Sequence, residues 1–188
     1  MTRAFVAVRP PDAVLDEVGR VVEALAPAVG GARWTVREQW HITLQFLGNR
    51  ADVDAVTAAL AGLTVPAFAA CLGGVGAFPS ARRARVVWVG VVEGADGFGA
   101  LAREVGARLV PLGHEPEDRP FHAHLTLARC KVPGDVRESL AGAEAVVAVV
   151  GEPWRVDAVT VYESALRRAG AQYTPRATVP LRMDARDA

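Results

Sequence analysis

Two tetrapeptides in this chain share one pattern, His-apolar-Thr-apolar: His41-Ile42-Thr43-Leu44 and His124-Leu125-Thr126-Leu127. In an extended strand side chains alternate between faces, so His and Thr share one face and the two aliphatics share the other. Each segment therefore reads as a strand that buries its aliphatics and presents an imidazole beside a hydroxyl. The motifs lie 83 residues apart, one in each half of the 188-residue chain. That placement predicts two similar lobes facing one cleft. With four His and nine Thr available, chance supplies only ~0.2 His-x-Thr pairs, and ~0.05 once both other positions must be apolar.

The rest of the chain mixes strands and helices without strict βαβ alternation. Strands are expected at Arg3–Val8, Trp40–Leu47, Ala67–Leu72, Ala84–Val91, Ala123–Arg129, Ala145–Val150, Arg155–Glu163 and Gln172–Leu181, with Trp34-Thr35-Val36 a short extended piece. A helix opens at Pro10-Pro11-Asp12 with Val14, Val18, Val21, Val22 and Leu25 on one face and ends at Gly30-Gly31. Further helices carry Val53, Val56, Leu60 and Leu63, then Phe98, Leu101, Val105 and Leu109, and a short one spans Val136–Leu140. Helices packed against antiparallel sheets make this an α+β chain. No low-complexity segment or linker marks a boundary, so residues 1–188 are expected to form one two-lobed domain.

Composition narrows the function classes. Lys+Arg and Asp+Glu both number 21, so the formal net charge is zero, which argues against an indiscriminate electrostatic nucleic-acid binder. Twenty of the basic residues are Arg, Lys131 standing alone. No apolar run approaches the ~20 residues of a membrane span. The opening MTRAFVAVRPPD has neither the cationic start nor the long apolar stretch of a signal peptide. Cys71 and Cys130 form no CxxC. The expectation is a soluble, reduced, cytoplasmic protein, monomeric and without membrane contact.

Residue chemistry then suggests a reaction. Imidazole titrates near ~6.5, so one His starts neutral as a base while its partner starts protonated as an acid. Displacement at phosphorus needs both, one on the attacking hydroxyl and one at the leaving oxygen opposite. Thr43 and Thr126 are placed to hydrogen-bond the non-bridging oxygens. Arg129, five residues beyond His124, adds a forked cationic contact for phosphate. No metal or other cofactor is required.

The chain resembles the two-histidine phosphoesterases, specifically the RNA 2',3'-cyclic phosphodiesterase / 2'-5' RNA ligase family. The carrying residues are His41 to Gly48, HITLQFLG, and Phe121 to Arg129, FHAHLTLAR. Phe5-Val6-Ala7-Val8, Arg33-Trp34, Gly76-Ala77-Phe78-Pro79, Val86-Val87-Trp88, Glu163-Ser164, Gly170 and Tyr173 support it, so it spans about residues 3–181. The resemblance implies a two-lobed pseudo-twofold fold with antiparallel sheets flanking a central groove and helices outside. It implies opening of a 2',3'-cyclic phosphate at an RNA end to leave a 2'-phosphate. His41 would be the general acid at the leaving 3' oxygen and His124 the general base on water, with Thr43, Thr126 and Arg129 holding the phosphate. Some members also form 2'-5' linkages. RNA ends or cyclic nucleotides would be the substrates. Ala123 departs from a frequent Pro, and His122 adds a third imidazole.

Other readings compete. His122-Ala123-His124 has a metal-ligand spacing on one strand face, but no HExxH or acidic cluster accompanies it, so His122 reads as an incidental or substrate-edge residue. His114 reads as a solvated loop residue. Ser80-Ala81-Arg82-Arg83-Ala84-Arg85 and Arg167-Arg168 are basic stretches that could meet an RNA backbone. Trp34, Phe78, Trp88 and Tyr162 are candidates to stack on a base, though each taken singly reads first as a core-packing residue. Gly73-Gly74-Val75-Gly76 lacks the surroundings of a dinucleotide or NTP loop. A non-catalytic nucleotide-binding module is the remaining alternative, and two intact His-Thr pairs argue against it.

Overall fold

The computed structural model describes residues 3–49, 51–167 and 170–183. Chain order begins with β1 (Arg3–Val8), α1 (Asp12–Leu25), β2 (Ala32–Trp34), β3 (Ile42–Gly48) and α2 (Val53–Leu60). It continues with β4 (Phe68–Phe78), β5 (Ala84–Glu93), α3 (Ala95–Leu109), β6 (His124–Gly134) and α4 (Arg137–Val147). The last strands are β7 (Val150–Val156), β8 (Ala158–Arg167) and β9 (Gly170–Pro180). Arg168 of the Arg167-Arg168 pair lies outside the described residues. No helix among the described residues is long and apolar enough to cross a membrane.

The strands run β7-β4-β5-β6-β3-β1-β8-β9, with β2 paired to β6, and every strand pairing in the sheet is antiparallel. The expected two sheets are thus halves of one curled sheet. The inner strands β3 and β6 meet at a single registered pair, Ile42 opposite Leu125, and β2 adds three registered pairs to β6. Each inner strand reaches its antiparallel neighbour through a helix: β1–α1–β3 in one half and β5–α3–β6 in the other. Each connecting helix packs across the divide, α1 on β7 and α3 on β3. The α+β class and the paired halves match the expectation.

Local chemistry explains the elements. Asp12 sits in the first turn of α1, where its charge complements the helix N-terminus. The helix buries Val14, Leu15, Val18, Val21 and Leu25 at three- and four-residue spacing, and Val22 lies at the margin of that face. The Asp52 carboxylate caps α2, accepting the Asp54 and Ala55 amides at 3.1 Å. The motif aliphatics Ile42, Leu44, Leu125 and Leu127 enter one core cluster with the helix faces. Burial of each contributes about 1.5–3 kcal/mol.

Three segments differ from expectation. The stretch Ala145–Val150 is not a strand: α4 continues to Val147, and β7 begins at Val150. Its valines favour strands, but Leu140, Ala143 and Val147 carry on the helix's buried stripe, and tertiary packing overrides propensity. Arg155–Glu163 is not one strand. The chain breaks at Asp157, so β7 pairs with β4 and β8 with β1, at opposite ends of the strand order. Finally, Gly73-Gly74-Val75-Gly76 lies inside β4 rather than in a loop. A Cβ on Gly76 would fall 2.3 Å from the Trp88 ring, so glycine here lets that indole lie flat on the neighbouring strand.

Candidate active site

The two motif strands carry the same irregularity at the same place. Ala7 pairs with Thr43 and Val6 with Gln45, so Leu44 is the extra residue of a bulge in β3. Trp88 pairs with Thr126 and Val87 with Ala128, which makes Leu127 the extra residue in β6. A bulge shifts the face alternation by one. In β6, Leu125, Leu127, Ala128 and Cys130 are buried while His124 and Thr126 are part-exposed and Arg129 is exposed. β3 repeats this: Ile42, Leu44, Gln45 and Leu47 are buried, Thr43 is part-exposed and Phe46 is 57% exposed. Arg129 therefore joins His124 and Thr126 on the open face. Its counterpart in the other half is Phe46, which the sequence reading passed over.

Each imidazole is held by the carbonyl two residues before it. His124 Nδ1 lies 2.7 Å from the His122 carbonyl oxygen, and the His41 ring is hydrogen-bonded by the Gln39 backbone. A carbonyl accepts only from N–H, so His124 carries its proton on Nδ1 and presents the Nε2 lone pair. His41 lies just before β3 and His124 opens β6.

The beds under the rings differ. His41 stacks on Phe5, with centroids 4.7 Å apart and planes 27° apart, and meets the edge of Tyr173 at 5.2 Å. Phe5 in turn stacks on Tyr162 at 5.2 Å and lies 6.2 Å from Phe46. His124 instead meets Phe78 edge-on at 5.0 Å, and His122 meets Trp88 at 4.7 Å. Phe78, Trp88 and Tyr162, read as base-stacking candidates, thus lie beside the two motif imidazoles, while Trp34 packs against the core.

Electrostatics tie the halves together. Burial pushes the His41 pKa down to about 4; the Gln39 carbonyl opposes this, and the charges of Arg129 and His124 add to the depression. Burial also lowers His124, against its His122 hydrogen bond, and the charges of His122 and Arg129 lower it further while Glu117 works the other way. One guanidinium thus acts on both imidazoles, and His41 also senses the charge of His124. Arg129 also pairs in register with Arg33 of β2.

The remaining candidates fall as follows. His122 is exposed and lines a cavity of about 430 Å³ together with Asp96, Arg103 and Phe121. No group of three or more His, Cys, Asp or Glu among the described residues is placed to hold a metal. His114 is part-buried, and its carbonyl accepts a hydrogen bond from Gln45. Arg82, Arg83 and Arg85 are exposed at the start of β5.

Known proteins resemble this chain in sequence and fold. The chain is 34% identical over 180 residues to the RNA 2',3'-cyclic phosphodiesterase of Methanothermobacter thermautotrophicus, covering 92% of this chain and 95% of that one. A shorter match, 43% identical over 96 residues, joins half of this chain to 54% of the Aeropyrum pernix protein of the same name. The crystal structure of TT0787 of Thermus thermophilus superposes with a TM-score of 0.77 at 29% identity, covering 97% of this chain and 99% of that one. The family model for the 2'-5' RNA ligase superfamily matches residues 5–168, and the chain belongs to that family.

Proposed function

We propose that this protein hydrolyses the 2',3'-cyclic phosphate at an RNA end to a 2'-phosphate, with His41 and His124 as the acid and base and no metal in the reaction. The observation that carries the reading is the matched pair of imidazoles on one face, with Arg129 acting on both. The name shared by its relatives supports the substrate class.

In the proposed step His124 takes a proton from water as the water oxygen bonds to phosphorus. The bond from phosphorus to O3' breaks opposite, and His41 delivers its proton to O3'. Thr43, Thr126 and Arg129 hold the non-bridging oxygens, where negative charge grows in the pentacoordinate state. An anionic phosphate between the rings favours their charged forms, so substrate itself raises the acid's pKa. Run backwards, the same groups would join RNA ends through a 2'-5' linkage. Phe46, exposed on the same face beside Phe5, gives the nucleobase a surface to stack on. The chain would act as one domain and a monomer, in the cytoplasm, on RNA ends or cyclic nucleotides.

The test is turnover of an oligonucleotide ending in a 2',3'-cyclic phosphate, with chelator present and the products separated. A 2'-phosphate at an unchanged rate is the expected result. A 3'-phosphate would reverse the assigned leaving group, and loss of turnover with chelator would replace the mechanism with a metal-dependent one.

A further inference from the structure

Backbone pairing between the two motif strands is slight, one registered pair at Ile42 and Leu125, and β2, ahead of His41, adds three registered pairs to β6. Yet the two imidazoles must keep a separation set by a single phosphate. Side-chain hydrogen bonds reinforce this pairing on both sides, and they do so reciprocally.

On the first side, the segment leading into His41 is fastened to the other motif's strand. The Thr35 amide donates to the Leu127 carbonyl at 2.8 Å. Its hydroxyl lies 2.9 Å from the Thr126 carbonyl and 2.8 Å from that of Leu127, sharing one proton between them. The same hydroxyl accepts the indole N–H of Trp40, the residue before His41, at 2.9 Å. Thr35 thus joins the bulge of β6 to the approach of His41.

On the second side the roles exchange. Gln45 follows the bulge residue of β3 and is 6% exposed, the one polar side chain in the buried set of described residues. Its amide donates to the His114 carbonyl at 3.0 Å and the Glu115 carbonyl at 3.3 Å, both in the loop that leads to His124. A buried amide without partners costs about 1–3 kcal/mol. Here both protons are used, and both go to the other half's approach segment.

We infer that Thr35 and Gln45 are paired positioning residues: each ties the approach to one histidine onto the strand of the other, and together they set how the two imidazoles face the substrate. The inference rests on the proposed reaction. Neither side chain needs to touch substrate, so its loss acts through the geometry of His41 and His124. A misplacement of about 1 Å costs up to about 100-fold in rate.

The experiment compares Thr35→Val, Thr35→Ser and Gln45→Met with wild type by steady-state kinetics on a 2',3'-cyclic mononucleotide and by NMR titration of the histidine rings. Thr35→Val and Gln45→Met are expected to lower kcat about tenfold or more, with KM changed less than about threefold. Thr35→Ser, which keeps the hydroxyl, is expected to recover most of the loss. His41 faces Tyr162 and Tyr173 of the outer strands and the charges of His124 and Arg129. Loosening the Thr35 tie admits water to that enclosure, so the His41 titration should move up from about 4 toward 6.5 in Thr35→Val and stay in place in Thr35→Ser. A folded Thr35→Val with wild-type kcat and wild-type titration overturns the inference, as does a variant whose only change is a lower melting temperature. If Thr35→Val does not fold, Gln45→Met decides by its kcat. Absence of turnover in wild type would defeat the proposed reaction, and the titration shift would still decide the brace.

Discussion

The two motif strands are alike in backbone and unlike in what surrounds them. Both bulge at the leucine after Thr, both bury the next residue, and both turn the one after that onto the open face. In one half that residue is Phe46 and in the other Arg129. His41 lies on a run of aromatic rings, Phe5, Tyr162 and Tyr173, whereas His124 meets Phe78 edge-on, lies near Trp88 and shares both with a second imidazole. A near-symmetric scaffold thus carries an asymmetric site, with a cation at one end and an aromatic at the other. Hydrolysis of a cyclic phosphate is itself asymmetric, since one oxygen leaves and water enters opposite. On the proposed reaction, the difference between the halves would give a bound nucleotide a direction.

The largest expected effect comes from removing either side of the shared chemistry. His41→Ala and His124→Ala should each lower turnover of a cyclic mononucleotide by about 100-fold or more. Near-wild-type turnover in one of them would leave a single-imidazole site and end the comparison.

Next in size is the cation. Arg129→Ala should reduce kcat about tenfold or more, because the guanidinium meets charge that grows in the transition state. Arg129→Lys keeps the charge without the planar fork and should recover only part of the loss. Unchanged kcat and KM would return Arg129 to an ordinary surface residue.

Phe46 tests the opposite end. Phe46→Ala should raise KM about fivefold or more for a cyclic mononucleotide, since stacking on one ring is worth about 1–3 kcal/mol. A cyclic phosphate of a simple diol, which has no base, should show no such change. Equal effects on both substrates would mean that Phe46 supports the strand rather than the base.

The smallest effect concerns pH. His41 is depressed to about 4 in the folded protein, below its unfolded value. The folded state therefore binds fewer protons there, so the stabilisation is complete above about 6.5 and is lost as pH falls toward 4. Urea melts should show about 1–2 kcal/mol less stability at pH 5 than at pH 6.5, and His41→Gln should flatten the difference. The free enzyme's kcat/KM depends on the same two rings, both lowered, so its maximum should fall on the acid side of 6.5. A maximum above 7 would contradict the electrostatic reading of the two halves.

Strict alternation made part of this site legible. It placed His41 with Thr43 and His124 with Thr126, and sent Ile42, Leu44, Leu125 and Leu127 to the core, where they lie. The same rule fails further along each strand. Counted from His124, Arg129 should face the core, and counted from Thr43, Phe46 should too. Only the bulges at Leu44 and Leu127 bring them to the open face, and a bulge follows from cross-strand register, which no local pattern records. Thr35 and Gln45 were hidden for a related reason, because their partners are carbonyls about 70 to 90 residues away. The break at Asp157 and the helical path through Ala145 likewise follow from long-range packing, against a local run of valines that favours strand.

The central claim is that the two imidazoles act in one displacement, and a double-mutant cycle tests it most directly. kcat/KM for a 2',3'-cyclic mononucleotide is measured in wild type, His41→Ala, His124→Ala and the double variant. If acid and base serve one transition state, most of the loss occurs in either single variant, and the double variant falls only slightly further. Losses that add in free energy would mean that His41 and His124 contribute independently, and would contradict the account.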